Sequence, residues 1–175
     1  MDGICITMPP QIFSDIQTHL LPDGATDEEA AFLFVRATAD ELLLELVEWI
    51  PIDRAGFAYQ TSGYLELADE MSGRVIKRAH DLGCGLVEMH SHPYPWEAQF
   101  SPTDLAGLSE FVPHARWRLK QKPYVAIVVA PTGFDGLAWR LDSNDAEPIM
   151  GIRVGETLMR PTCLTAAALN GVRRD

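Results

Sequence analysis

Apolar positions along this chain fall into short runs separated by Pro, Gly and charged clusters, and the spacing within each run predicts an element. Ile4 to Met8 forms an apolar stretch; after the Pro9-Pro10 pair, Ile12, Phe13 and Ile16 recur at helical spacing. Leu21-Pro22-Asp23-Gly24 is a turn. Ala30 to Val35 is continuously apolar and predicts a buried strand. Leu42 to Ile50 supports two readings. Leu42, Leu43, Leu46, Val47 and Ile50 fit a helical stripe, whereas closeness to the preceding run, across Thr38-Ala39-Asp40, fits a hairpin.

In the second half, Met71, Val75, Ile76 and Ala79 predict a helix over 69–82 that stops at Gly83. Gly85 to Met89 predicts a strand, and a loop rich in Pro and aromatic residues follows from His92 to Phe100. Ser101-Pro102 opens a helix running to about His114, because Ser at N-cap and Pro at the first helical position are both favoured. Tyr124 to Val129 predicts a strand, Pro131-Thr132-Gly133 a turn, and Leu137 to Leu141 the partner strand. Met150 to Val154 predicts a weaker strand, and residues 161–175 read as a C-terminal tail after a single domain over 1–160. Interleaved strands and helices predict an α/β (α+β) sandwich around one central sheet.

Composition removes several classes. With 47% hydrophobic and 22% charged residues, the 175-residue chain is neither disordered nor a coiled coil. No apolar run reaches membrane-span length, and Met1 to Pro10 lacks the basic start and apolar core of a signal peptide. Fourteen Lys and Arg against 25 Asp and Glu give −11, unfavourable for binding nucleic acid through its phosphates. The basic stretch Arg116 to Lys122 then reads as a solvated helix end. Three cysteines without a C-x-x-C pair argue against a disulfide framework and suit a reducing cytoplasm.

The chemistry concentrates between Glu88 and Asp104. His90 and His92 on a strand point to one side, about 6.6 Å apart at ~3.3 Å per residue. Two imidazoles at a strand end can grip one metal ion, and Asp104, in the first turn of the following helix, can supply a third ligand. Two His and one Asp leave a fourth position for water, the pattern of a catalytic zinc site. Each part also has a plainer explanation. A His-x-His pair can simply face solvent, and Ser101-x-x-Asp104 is a capping box for the helix. Glu88 faces the same way as the two histidines and is either an acceptor for an imidazole N–H or a polar residue at a buried edge. His19, His80 and His114 are unpaired, and Cys84 reads as packing.

His90-Ser91-His92-Pro93 followed by Ser101-Pro102-Thr103-Asp104 resembles the signature of the JAMM (JAB/MPN) metalloproteases. Glu28-Glu29-Ala30-Ala31-Phe32-Leu33-Phe34 is similar to the segment that carries the family's upstream glutamate, and Ala31 selects Glu28 over Glu29. The likeness runs from about His19 to Trp139, with one departure: seven residues, Tyr94 to Phe100, stand where the family commonly has six. Closing one extra residue of loop costs well under ~0.6 kcal/mol, so the ligands are little affected. The extension bears on the loop's own contacts, and Tyr94, Trp96 and Phe100 are either a substrate-facing ledge or local packing.

The resemblance implies an MPN/JAB-like, cytidine-deaminase-like three-layer sandwich, with Leu42 to Ile50 a strand beside Ala30 to Ala37. It implies Zn²⁺ held by His90, His92 and Asp104, Glu28 as general base, and Ser101 as hydrogen-bond donor to the developing oxyanion. The implied activity is that of a zinc isopeptidase or peptidase acting after the C-terminus of a ubiquitin-like protein, with activating and conjugating enzymes as associates. Two alternatives stay open: a scaffold of this fold without metal, and a metal-dependent amidohydrolase with another substrate.

Overall fold

The computed structural model describes residues 3–141 and 143–172. The buried strand expected from Ala30 onward is β2 (Ala30–Ala37), and it lies at the heart of a mixed sheet. Its hairpin partner is β3 (Leu43–Pro51), antiparallel, with a bulge at Phe34/Val35; the two-way reading of Leu42 to Ile50 thus resolves as a strand. On its other side β2 pairs antiparallel with β6 (Gly85–Ser91), which pairs parallel with β7 (Tyr124–Ala130). A tight turn leads into β8 (Gly133–Trp139), and β9 (Glu147–Pro148) closes that edge. Outside β3, β1 (Cys5–Met8) runs parallel to both β3 and β10 (Gly151–Val154), and β11 (Thr157–Met159) is the other edge. The order is β11-β10-β1-β3-β2-β6-β7-β8-β9.

Helices cover both faces, which is why the central strands are apolar on both sides. Alternate residues of β2 divide between two cores. Ala31, Leu33 and Val35 join Val87, Met89, Val125 and Ile127 beneath α1 (Pro10–Leu20), which contributes Ile16 and Leu20. Phe32 and Phe34 join Leu86, Tyr124 and Val128 beneath α2 (Asp69–Leu82) and α3 (Pro102–Arg118). Gly83 ends α2 in the left-handed conformation (φ 64°), where a Cβ would be strained.

Four expectations are corrected. A second, two-stranded sheet, β4 (Phe57–Gln60) with β5 (Leu65–Leu67), occupies a segment for which the apolar spacing predicts no element. Helix α3 runs four residues past His114, through Pro113, because Val112 and Ala115 keep one face buried on the sheet. Arg116 is not a solvated helix end: it is buried and donates to the carbonyl oxygens of Arg140 and Ser143, fastening the segment after β8. The supposed tail from Pro161 folds back against β8 and continues as α4 (Leu164–Val172), because buried polar partners await it there; residues 173–175 lie outside the described residues.

Candidate metal centre

The β2–β6 ladder sets the first half of the site. Ala30 stands opposite His90, so continuing the antiparallel register places Glu29 beside Ser91 and Glu28 beside His92. Two bonds extend that pairing past the strand ends: Ser91 N–H donates to Glu29 O, and Glu29 N–H donates to Ser91 Oγ, both at 2.9 Å. His92 N–H donates to Val129 O at 2.8 Å, which carries the β6–β7 pairing one residue further. The two imidazoles project to one side and converge, ring centroids 5.1 Å apart.

The capping box at the start of α3 sets the second half. Ser101 Oγ accepts from Asp104 N–H at 3.1 Å, and Asp104 Oδ2 accepts from Ser101 N–H at 2.7 Å. That same Oδ2 lies 3.5 Å from His90 Nε2 and 3.3 Å from His92 Nε2. The ligand atoms of all three residues lie within 4.8 Å of one another. Tetrahedral coordination at bond lengths of ~2.0–2.2 Å separates ligand atoms by roughly 3.3–3.6 Å, so both contacts to Asp104 match ligands sharing an ion. His90 Nε2 is buried and has no hydrogen-bond partner, and a buried polar atom left in that state is disfavoured. A cation would satisfy it. His90, His92 and Asp104 could therefore hold a metal ion.

Glu28 stands beside this triangle rather than in it. The residue is 4% exposed, with Oε1 3.7 Å from His92 Nε2. Burial pushes its pKa up, and the positive charge available on His90 and His92 only partly offsets that. Burial opposes ionisation of Asp104 as well, but the two imidazoles close to its Oδ2, with the Ser101 N–H it accepts, hold its carboxyl well below the usual range. For His90, burial disfavours the charged ring, yet Asp104, Glu88 and Glu28 outweigh it and raise the pKa.

Other expected participants are placed elsewhere. Glu29 keeps a partly exposed side chain and only its main chain serves the site. Glu88 points to the histidine side of the sheet, but its partner is the Tyr124 hydroxyl rather than an imidazole; burial raises the pKa of both groups. Cys84 is buried in the α2/α3 core. His19 is half-buried, bonding Ala30 O at 2.8 Å and meeting Trp49. The loop aromatics divide. Phe100 is buried against the His90 ring, whereas Trp96 stacks on Tyr94 and stays 71% exposed.

From His90 and Asp104 a groove of about 630 Å³ runs between β5 and α3, with Phe32 and Glu88 on its floor and Leu65 and Phe111 on its walls. The β4–β5 unit also fixes the glutamate: Glu28 N–H donates to Thr61 O, and Gln60 Nε2 donates to Glu28 O, each at 2.9 Å. Gln60 and Thr61 belong to no motif in the sequence; the local signal there is Thr61-Ser62-Gly63, a turn between two short runs.

No protein-family model matches the chain, and no curated protein matches it. Among solved structures, the solution structure of a protein from Salinibacter ruber (strain DSM 13855) aligns over 89% of this chain and 95% of its own, at 17% identity and a TM-score of 0.46. Among the described residues no helix is long and apolar enough to cross a membrane.

Proposed function

We propose that this chain is a zinc-dependent peptidase of the JAMM type, built on the MPN/JAB fold. Its reaction is hydrolysis of the amide bond after the C-terminus of a ubiquitin-like protein, in deconjugation or precursor trimming. The observation that carries this reading is the convergence of His90 and His92 on one oxygen of Asp104 with a buried glutamate alongside. Two neutral imidazoles and a carboxylate are the donor set zinc favours, with a place left free.

When bound, the ion supplies Lewis-acid polarisation and lowers the pKa of a water. Glu28 takes a proton and delivers it to the leaving amine; a carboxyl raised by burial is better matched to both transfers near neutral pH. Ser101 Oγ accepts from Asp104 N–H, so its own proton is free to donate to the carbonyl oxygen as charge develops there. The groove receives the segment before the scissile bond. Strand β5, which lines it, has β4 as its only ladder partner among the described residues, leaving an edge on which an extended tail can add as a strand.

The substrate class comes from the resemblance, as do activating and conjugating enzymes as associates. Three free cysteines fit a reducing compartment, and the cytoplasm is the proposed location. The test is incubation of the zinc-loaded chain with a tagged ubiquitin-like precursor or conjugate, with chelated protein and Glu28→Gln as controls. Cleavage at the C-terminal glycine that both controls abolish is expected. A zinc-loaded chain that cleaves neither substrate overturns the assignment.

A further inference from the structure

The loop over the metal site is scarcely held by its own main chain. Among the described residues, 93–100 make no backbone–backbone hydrogen bond, yet Ala98 and Phe100 are buried. Buried backbone groups need partners, so such a loop keeps one shape only where side chains supply them. Three threonines do. Thr132 Oγ1 donates to Trp96 O at 2.8 Å, and Thr162 Oγ1 donates to Ala98 O at 2.7 Å. Thr165 Oγ1 accepts from Phe100 N–H at 3.0 Å. That last bond falls on the residue just before Ser101, whose capping box orients the Asp104 carboxylate.

Thr165 is held in turn. Asp135, on β8, is 1% exposed; one of its oxygens accepts from Gly136 N–H (2.9 Å) and Cys163 N–H (3.1 Å), the other from Thr165 N–H (2.9 Å). Thr162 N–H adds a bond to Phe134 O at 2.9 Å. A carboxylate this deep persists because donors fill its lone pairs. One continuous path therefore runs from β8 through Asp135 and Thr165 to Phe100, Ser101 and Asp104.

We infer that Asp135 and Thr165 are positioning residues for the metal site, and that residues 162–165 form a strap setting the third ligand through the Phe100 amide. This rests on the metal reading of His90, His92 and Asp104 but not on the identity of the substrate. Groups that orient ligands are typically worth 10–100-fold in metal affinity.

The experiment titrates zinc back into metal-free, full-length protein against a chromophoric chelator, with cobalt absorption as a second readout and hydrogen exchange of the metal-free chain as a third. Thr165→Val should weaken zinc binding about tenfold, alter the cobalt spectrum and speed exchange at the Phe100 and Ser101 amides. Thr165→Ser, which keeps the hydroxyl, should restore all three, and Asp135→Asn should shift them in the same direction as Val. Ile16→Val, in the core on the opposite face of the sheet, should lower stability without changing zinc affinity. Wild-type affinity in Thr165→Val, or an equal loss in Ile16→Val, overturns the strap. Wild-type protein that takes up no zinc overturns the metal reading and the strap together. Zinc affinity that follows Thr165 in a chain cleaving no ubiquitin-like substrate supports the strap and removes only the proposed substrate.

Discussion

His90, His92 and Glu28 stand on or beside a hydrogen-bonded ladder, whereas Ser101 and Asp104 stand at the end of a loop that side-chain hydroxyls fasten. On the ladder, His90 pairs with Ala30 on one side and Val128 on the other, and His92, one residue past the strand, donates its N–H to Val129 O. Losing one contact there leaves several others to keep the register. In the loop half, a few single bonds lie in series and each carries the position of everything after it. The two halves thus differ in how far a local change travels.

Removing a ligand tests the joint outcome and has the largest expected effect. His90→Ala or Asp104→Ala should abolish stoichiometric zinc by metal analysis; one equivalent retained in both would show that the halves do not share an ion. Glu28→Gln leaves all three ligands in place and should keep zinc while hydrolysis falls by several powers of ten. If Glu29→Gln does this instead, the alignment of the glutamate with the family's motif is one residue off. Ser101→Ala probes the loop half: a loss in kcat of ~10²-fold is expected from one missing donor, together with ~1 kcal/mol of stability from the lost cap. Thermal melts run beside the kinetics separate the two contributions.

Zinc affinity should also fall with acid. His90 must shed its proton to become a ligand, and Asp104, Glu88 and Glu28 raise its pKa over the opposing effect of burial. Below that raised pKa, affinity drops by up to about tenfold per pH unit for one displaced proton. In metal-free protein the sign reverses. The stabilisation from charged His90 is complete below the ordinary histidine pKa and is lost as pH rises through the raised value. Calorimetric titrations of both forms across neutrality check the pair of trends. The smallest effect belongs to Gln60→Ala, which removes one of two bonds holding the Glu28 main chain; a few-fold loss of rate with unchanged zinc affinity is expected. A loss as large as that of Ser101→Ala would erase the contrast between the halves.

Part of the sheet half is legible because strand periodicity is repetitive: His-x-His defines one face and Ala30 to Val35 is a continuous apolar run, whereas the pairing of Ala30 with His90 is a long-range contact that neither pattern specifies. The capping box was legible because Ser, Pro and Asp act over one helical turn. What the sequence does not disclose depends on contacts distant along the chain. The β4–β5 hairpin is short and only partly buried, so its pattern carries little hydrophobic signal. Arg116 is charged, and nothing local announces the carbonyl oxygens that bury it. Thr162 and Thr165 resemble any polar residues near a chain end, and their meaning comes from Phe134 and Asp135, about thirty residues earlier.

The placement of β1 bears on how the chain is made. Cys5 is paired on one side with Leu43 and on the other with Gly151, almost the whole described length away. During ribosomal synthesis β1 and β3 can associate early, while the opposite border of β1 stays bare until the last strands emerge. That interval exposes an unsatisfied row of amides and carbonyls to neighbouring nascent chains. Completion of this flank of the sheet is therefore a late event, gated by translation, even though β2 and β6, on or beside which the histidines and glutamate stand, share no ladder with β1.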